Sequence, residues 1–410
     1  MRTMQIIKQI KEKISQPLMS IWVGGFLDIF GFSILGPFLP RILLDMGASL
    51  PQIGLLLSAN AFVGFFSGFF WGALSDKFGR RPILLICRFG TIVGYLVLAF
   101  STNISMVLIA RIIDGFFSRN IIITLTIVGD IVPPHNRSRE MSKAGVAWII
   151  GGLIGPAIGA LISSFGIFGL GLFCASMSIV AILITLFAIR ESNPRVLGQA
   201  VRIPETAVKR APVISFALLK EFLPRILLGQ SLFINIAHFI FATTISLFIT
   251  KRFGFSIAQI GEILTLIGIL NLSARLLVFP LLLRRFGDKQ TLIVGILLYV
   301  AAFTWLSLLT NIWEYVAVSV FVSFATTCSV DVMNGIMSRS VAKEKMGEMI
   351  GLNSSVESVS LILSPMIGSY LIALPVAGLY GLASILASLV ALLLGLIAKR
   401  KGLASASVDE

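Results

Sequence analysis

Three charges interrupt a run of apolar residues. The stretch ARIIDGFFSRN (110–120) carries Arg111, Asp114 and Arg119, flanked by the uncharged STNISMVLI and IIITLTIVG. In hydrocarbon a charge costs roughly 2.5–3.5 kcal/mol on insertion scales, so such a residue faces protein or a wet cavity. Asp114 follows Arg111 by three residues and shares its helical face, so the two can pair. Arg119 is five residues from Asp114, which is poor spacing for a pair within one helix. It needs a partner on another helix, or a substrate. Other residues of this kind in apolar runs are Asp28, His238, Arg275, Asp331 and Glu357, with Asn235, Asn271 and Asn334 as neutral hydrogen-bonding groups. Acids and arginines at membrane depth can exchange protons and switch ion pairs. Bond-making chemistry is not expected. There are two His, no metal-ligand spacing and no nucleophile motif, so neither enzyme, metal nor cofactor is predicted. Cys87, Cys174 and Cys328 fall in apolar runs and read as small core residues.

The elements that must hold these residues are helices in a bilayer. Of 410 residues, 57% are hydrophobic and 13% charged, against about 25% charged in soluble proteins. A spanning helix needs about 20 mostly apolar residues. Charge-free runs of that length occur at 53–75, 89–110, 226–250 and 290–313, and 144–189 and 358–398 each hold two. Allowing a few buried charges, twelve spans are predicted, starting near 18, 51, 82, 104, 143, 167, 224, 256, 290, 313, 348 and 376. With the N-terminus inside, the cytoplasmic segments hold 25 Lys and Arg and the external loops three: Arg41, Lys251 and Arg252. That asymmetry predicts an integral protein of the cell (plasma or inner) membrane with both termini cytoplasmic. It also accounts for the net charge of +14 through topology and anionic lipid, without nucleic acid. The N-terminal MQIIKQIKEKI reads as a short helix lying in the membrane interface.

The apolar pattern breaks at a polar, basic stretch with Pro194, Pro204 and Pro212. Expected domains are therefore an N-terminal six-helix bundle (1–190), a cytoplasmic linker (191–223) and a C-terminal six-helix bundle (224–410). The halves repeat. SLPQIGLLLS (49–58) recurs as SIAQIGEILT (256–265), LSDKFGRR (74–81) as LLRRFGDK (282–289), and GPAIGA (155–160) as SPMIGS (364–369). The offset drifts from 207 to 209. This is an all-α membrane fold of two halves related by a parallel pseudo-repeat, an arrangement of transporters whose substrate site lies at the repeat interface.

GALSDKFGRR (72–81) resembles the signature loop of the major facilitator superfamily, Gly-x-x-x-Asp-Arg-x-Gly-Arg-Arg, with Lys77 for one Arg. Gly72 would allow close helix contact and Gly79 a tight turn. The resemblance implies a gating latch of Gly72, Asp76, Gly79, Arg80, Arg81 and Asp130. In it Asp76 would meet a helix N-terminus near 347–350, and Arg80 would pair with Asp130. LDIFGFSILGPFLP (27–40) is similar to the first helix of the tetracycline-type, twelve-helix drug:proton antiporters. GLIGPAIGA (152–160) resembles the antiporter motif of the fifth helix, carried by Gly151, Gly155, Pro156 and Gly159, with Ala160 for a final Gly. ARIIDG resembles the Arg-x-x-x-Gly motif of the fourth, with Arg111 and Gly115. Arg119 matches no family position.

The resemblance covers nearly the whole chain. It implies a secondary transporter, with proton-coupled export of a drug-like organic molecule and, as the alternative, an uncoupled flippase or uniporter for a lipid-like or metabolite substrate. The family's first, fourth, seventh and tenth helices line its cavity. Proton coupling is accordingly expected at Asp28, Arg111 and Asp114, and substrate contact at Asp28, Arg119, Asn235, His238, Asp331 and Asn334. Asp28 could instead be a structural acid paired with an arginine of the fourth helix. It is the nearest acid to Arg119 by depth, so the two are expected to pair, either as a switch or as a permanent strut. Arg88 reads as the cytoplasmic end of the third span. The resembling tetracycline pumps also use acids on the third and ninth helices, and 82–101 and 290–310 hold none. Three acids against two arginines on the cavity helices suit an amphiphilic, zwitterionic or weakly anionic molecule. Expected partners are that substrate, protons and lipids, and the protein is expected to be a monomer.

Overall fold

Helices begin where the sequence supplies a partner for their first backbone N–H groups. Asn103 accepts from Met106 N at 2.9 Å, and Asn311 from Glu314 N at 3.0 Å. These are N-caps of the kind that stabilise a helix by about 1 kcal/mol. At the start of the second and eighth spans the side chain of the third helical residue reaches back. Gln52 accepts from Ser49 N and Gln259 from Ser256 N, each at 2.9 Å, a capping-box geometry. Both pairs of caps recur at the repeat offset.

The computed structural model describes residues 2–118, 120–193, 196–197, 217–277, 279–342, 345–374 and 379–400. Among them there is no strand. The helices are α1 (Arg2–Leu35), α2 (Leu39–Asp45), α3 (Leu50–Phe78), α4 (Arg80–Ala99), α5 (Ile104–Phe117), α6 (Asn120–Ile131), α7 (Pro134–Ile162), α8 (Gly166–Ala188), α9 (Ala217–Lys220), α10 (Phe222–Phe253), α11 (Ile257–Leu277), α12 (Phe279–Leu308), α13 (Ile312–Thr326), α14 (Val332–Arg339), α15 (Met346–Ala373) and α16 (Leu379–Arg400). Eight stretches are long and apolar enough to cross a membrane, and one of them, Lys143–Ala188, holds both α7 and α8. With α5–α6, α11 and α16 these make twelve spans among the described residues. The sequence separates an interfacial N-terminal helix from the first span, but α1 runs through both without a break.

The fourth span is broken. Ser118 (φ −75°, ψ 40°) ends α5 within the stretch ARIIDGFFSRN. The tenth is broken as well, by a π turn at Thr327–Asp331 between α13 and α14. The offset of 208 carries Ser118 onto Thr326, so both halves interrupt the same helix at the same depth. Interruptions of this kind inside long helices often mark functional sites. Two tight turns also correspond. Gly79 has φ 108°, and Gly287, where two helices meet within the span given as α12, has φ 69°, values that disfavour any residue with a Cβ.

The helices pack into two compact units. Unit 1 comprises Met1–Ala48, Ala59–Pro204 and Ser256–Thr265, and unit 2 comprises Ser49–Ser58, Glu205–Phe255 and Leu266–Glu410. In unit 1, Leu18, Ile21, Trp71, Leu84, Cys87 and Ile127 share a buried cluster. The motif glycines of α7 all face α1. A Cβ on Gly151 would lie 2.9 Å from Phe26 O, one on Gly155 would overlap Ser33 Oγ, and one on Gly159 would lie 2.8 Å from Ile34 O. Ser33 Oγ donates to Gly151 O at 3.0 Å. Small residues thus let two backbones touch, the usual basis of helix association in lipid. In unit 2, α15 lies on α10 in the same manner. Ser360 Oγ and Ser364 Oγ donate to Leu232 O and Ile236 O at 3.3 Å each, and Gly368 meets Thr244. Gly72 departs from expectation. Among the described residues a Cβ there would meet no atom within 4 Å, so it makes no close helix contact with them.

Gly155→Val should destabilise the α1–α7 seam by about 1–3 kcal/mol through overpacking. Gly152→Val, whose Cβ would lie 3.8 Å from Ile29, should be tolerated. Thermal unfolding of the two purified variants in detergent checks the difference, and equal losses would refute the assigned face.

Candidate functional site

Arg88 stands eight residues inside α4, about 12 Å from its start at 1.5 Å per residue. It is fully buried and pairs with Asp28 of α1, Nη2 to Oδ2 at 2.8 Å, with side chains 1% and 8% exposed. Its Nη1 donates to Ala181 O of α8 at 2.7 Å and to Thr185 Oγ1. Asn120 at the start of α6 donates to the other Asp28 oxygen at 3.3 Å. Gly24 makes room, since a Cβ there would lie 2.6 Å from Arg88 Nη2. Four helices therefore meet on one ion pair. This corrects one expectation, since Arg88 is not a helix-end residue. Among the described residues the arginine on Asp28 is Arg88. Arg119, the expected partner of Asp28, lies outside the described residues. Arg88 could have been found as the one charge in an otherwise uncharged span, by counting its depth from Arg80.

Arg111 and Asp114 pair within α5, Nη1 to Oδ2 at 3.0 Å, both buried. Asn60 of α3 donates to Asp114 Oδ2 at 2.7 Å and to Arg111 O at 3.3 Å. Gly115 allows this approach, because a Cβ would lie 2.6 Å from Asn60 O. Ser67 Oγ donates to Gly115 O at 3.1 Å and Trp71 Nε1 to Phe116 O at 2.6 Å. The Arg-x-x-x-Gly pattern thus serves a side-chain pair and a close helix crossing together. Asn60 was not legible in sequence, being one polar residue in an apolar run.

At the α3–α4 turn, Arg80 reaches Asp130 at 3.2 Å and Asp76 at 2.5 Å. Its Nη1 also donates to Ser75 Oγ at 2.7 Å. Arg81 donates to Leu186 O at 2.7 Å. The sequence reading missed what holds the turn from behind. Glu191, just after α8, accepts the backbone N–H groups of Arg80 and Arg81 at 2.8 and 3.1 Å. These are the first N–H groups of α4, where a carboxylate is favoured. Asn193 donates to Ser75 O and Asp76 O at 3.2 and 2.9 Å, satisfying the end of α3. A Cβ on Gly79 would lie 2.5 Å from Glu191. The contact spans more than a hundred residues of chain, so no local signal announces it.

Unit 2 carries a network made mostly of amides and hydroxyls. Asn235 donates to Ser231 O and Oγ at 2.9 and 3.1 Å. Ser231 Oγ donates to Asn353 Oδ1 at 2.7 Å, and Asn353 donates to Asn334 at 2.8 Å and Glu357 at 3.1 Å. One turn beyond Asn235, His238 Nδ1 meets Thr326 Oγ1 at 3.1 Å, which meets Tyr299 OH at 2.7 Å. Asn235 and Asn334 are thus joined through Ser231 and Asn353, while His238 belongs to a separate chain through Thr326 to Tyr299 in the same unit. Asp331 ends the π turn and is exposed. Among the described residues no three His, Cys, Asp or Glu are grouped to hold a metal.

A family model described as Major Facilitator Superfamily matches residues 21–278 and 227–408. The class H tetracycline resistance protein of Pasteurella multocida is 26% identical over 354 residues, covering 86% of this chain and 88% of that protein. Multidrug resistance protein MdtG of Salmonella choleraesuis is 24% identical, with 85% and 86% covered. Among solved structures, a D-xylose–proton symporter superposes with a TM-score of 0.73 at 17% identity, covering 92% of this chain and 96% of that one. The human organic anion transporter MFSD10 does so with 0.66 at 23%, covering 94% and 99%.

Removing one member of a buried pair strands the other charge, at a cost of about 3–5 kcal/mol, whereas replacing both can be near neutral. Arg88→Met and Asp28→Asn should each lower the unfolding temperature by more than the double variant does. A double-mutant cycle measured by thermal unfolding checks this, and additive losses would show that the pair is uncoupled.

Proposed function

The chain belongs to the Major Facilitator Superfamily, and from that premise we propose that this integral membrane protein exports a small amphiphilic or drug-like organic molecule in exchange for protons. The tetracycline and multidrug resistance proteins among its relatives support efflux. The observation that carries proton coupling is the Asp28–Arg88 pair. An acid largely enclosed at membrane depth, held among the described residues by one arginine and one amide, changes its contacts when a proton arrives. Protonation of Asp28 weakens its hold on Arg88 and on Asn120, at the junction of α1, α4, α6 and α8. Arg111 and Asp114 form the second charged pair available to a proton in unit 1. Asn235, His238, Asp331 and Asn334 are our choice of substrate contacts in unit 2. The class is kept to amphiphilic organic molecules rather than tetracycline, because 82–101 and 290–310 carry no acid. The lysine and arginine asymmetry supports cytoplasmic termini in the cell membrane. We assign alternating access to the two expected halves, 1–190 and 224–410, as a monomer in contact with lipid.

Gating is assigned to the α3–α4 turn, with Arg80–Asp130 as the latch and Asp76 as its exposed acid. Asp130→Asn should slow transport and change spin-label distances measured between the cytoplasmic ends of the two halves. Unchanged distances would remove the latch.

Proteoliposomes with an imposed pH gradient, screened with amphiphilic dyes and drugs, test the reading. Wild type should accumulate substrate against its gradient, and Asp28→Asn should lose uphill transport while keeping binding. Transport indifferent to the pH gradient would favour the uncoupled flippase or uniporter.

A further inference from the structure

Glu357 has no part in the reading above. It lies nine residues past Glu348 in the apolar stretch Glu348–Ala373, about 14 Å along a helix rising about 1.5 Å per residue. That is inside the hydrocarbon depth of a bilayer. Residues 353, 357, 360, 364 and 368 fall at steps of four, three, four and four, so they form one stripe on α15. The stripe is the seam with α10. Asn353 bonds Ser231, Ser360 and Ser364 bond Leu232 O and Ile236 O, and Gly368 meets Thr244. Glu357 is the one acidic member of a seam otherwise made of Asn, Ser and Gly.

Its Oε1 accepts from Asn353 Nδ2 at 3.1 Å. Asn353 is oriented by its other bonds, accepting from Ser231 and donating to Asn334. The side chain of Glu357 is half-buried. Among the described residues no cation faces it. On α10, Arg225 lies over Phe222, Lys251 donates to Ile372 O and Arg252 donates to Leu309 O. His238 is engaged with Thr326. On α14, Arg339 pairs with Asp288, and Asp331 of the π turn is an exposed acid. On α15 itself, Glu348 accepts from Leu218 N, and Lys345 just before the helix pairs with Glu221. Residues 379–397 of α16 and 50–58 of α3 carry no charge. An acid at this depth without a cation is costly when ionised, and one amide donor does not replace a counter-charge.

We propose that Glu357 is a second proton-exchange site, in unit 2 and separate from Asp28, with Asn353 as its positioning residue. Oε1 is occupied by the amide, so the proton adds to Oε2 as a carboxylic O–H and leaves to water, and no other bond changes. In transport this site gives unit 2 a proton station of its own. That role rests on the proton-coupled reading, whereas the site itself does not.

The test is pH-induced infrared difference spectroscopy on the full chain in lipid nanodiscs, with no substrate. Wild type should show a carboxylic-acid carbonyl band that titrates. Glu357→Gln should lose a component of it, Glu357→Asp should shift that component, and Asp28→Asn should keep it. Asn353→Leu removes the donor that favours the ionised form, so it should move the midpoint of that component to higher pH. A Glu357→Gln spectrum that superposes on wild type, or a wild type without a titrating acid band, overturns the proposal. Glu357→Asp guards against misfolding, since it keeps the acid. Failure of gradient-driven transport in proteoliposomes would strike the function proposed above and leave this spectral component in place.

Discussion

The packing of unit 1 depends on the Asp28–Arg88 ion pair. An isolated charge at this depth would not be tolerated, so each partner obliges the other to be present and in register. Arg88 extends the obligation further by donating to Ala181 O and Thr185 of α8, and Asn120 ties the start of α6 to the same acid. Gly24 clears the volume that the guanidinium fills. In hydrocarbon, helices gain little from apolar contact, because lipid is as apolar as leucine. Polar contacts such as these, and close backbone approaches at glycine, therefore set which helices meet.

The two units meet that requirement differently. Unit 1 uses full charges, in Asp28–Arg88 and Arg111–Asp114. Unit 2 uses amides and hydroxyls, in the chain from Asn235 through Ser231 and Asn353 to Asn334, and in the His238–Thr326–Tyr299 chain. Neutral groups cost less to bury and do not require a unique counter-charge. A duplicated fold has thus kept its helix geometry while its polar contents diverged.

What the duplication kept is mostly backbone detail. The Gln52 and Gln259 capping boxes, the Asn103 and Asn311 caps, the Gly79 and Gly287 turns and the breaks in the fourth and tenth spans all correspond. Most of these satisfy or redirect main-chain groups at helix ends, where the regular ladder stops.

Composition, spacing and lysine placement by themselves determined the class, the twelve spans, the repeat and the glycines that bring α7 onto α1. These follow from local rules, namely the length of a span, the period of a helix and the small volume of glycine. The Arg111–Asp114 pair was legible for the same reason, since three residues on one helix always share a face. Tertiary structure alone decided the partners that lie far apart in sequence. Arg88 of the third span holds Asp28, Glu191 holds the α4 N-terminus, Asn60 completes the α5 pair, and Gly72 is left without a close neighbour among the described residues. A uniformly apolar helix carries no periodic mark of which face meets which neighbour, so those contacts exist only once the helices have packed.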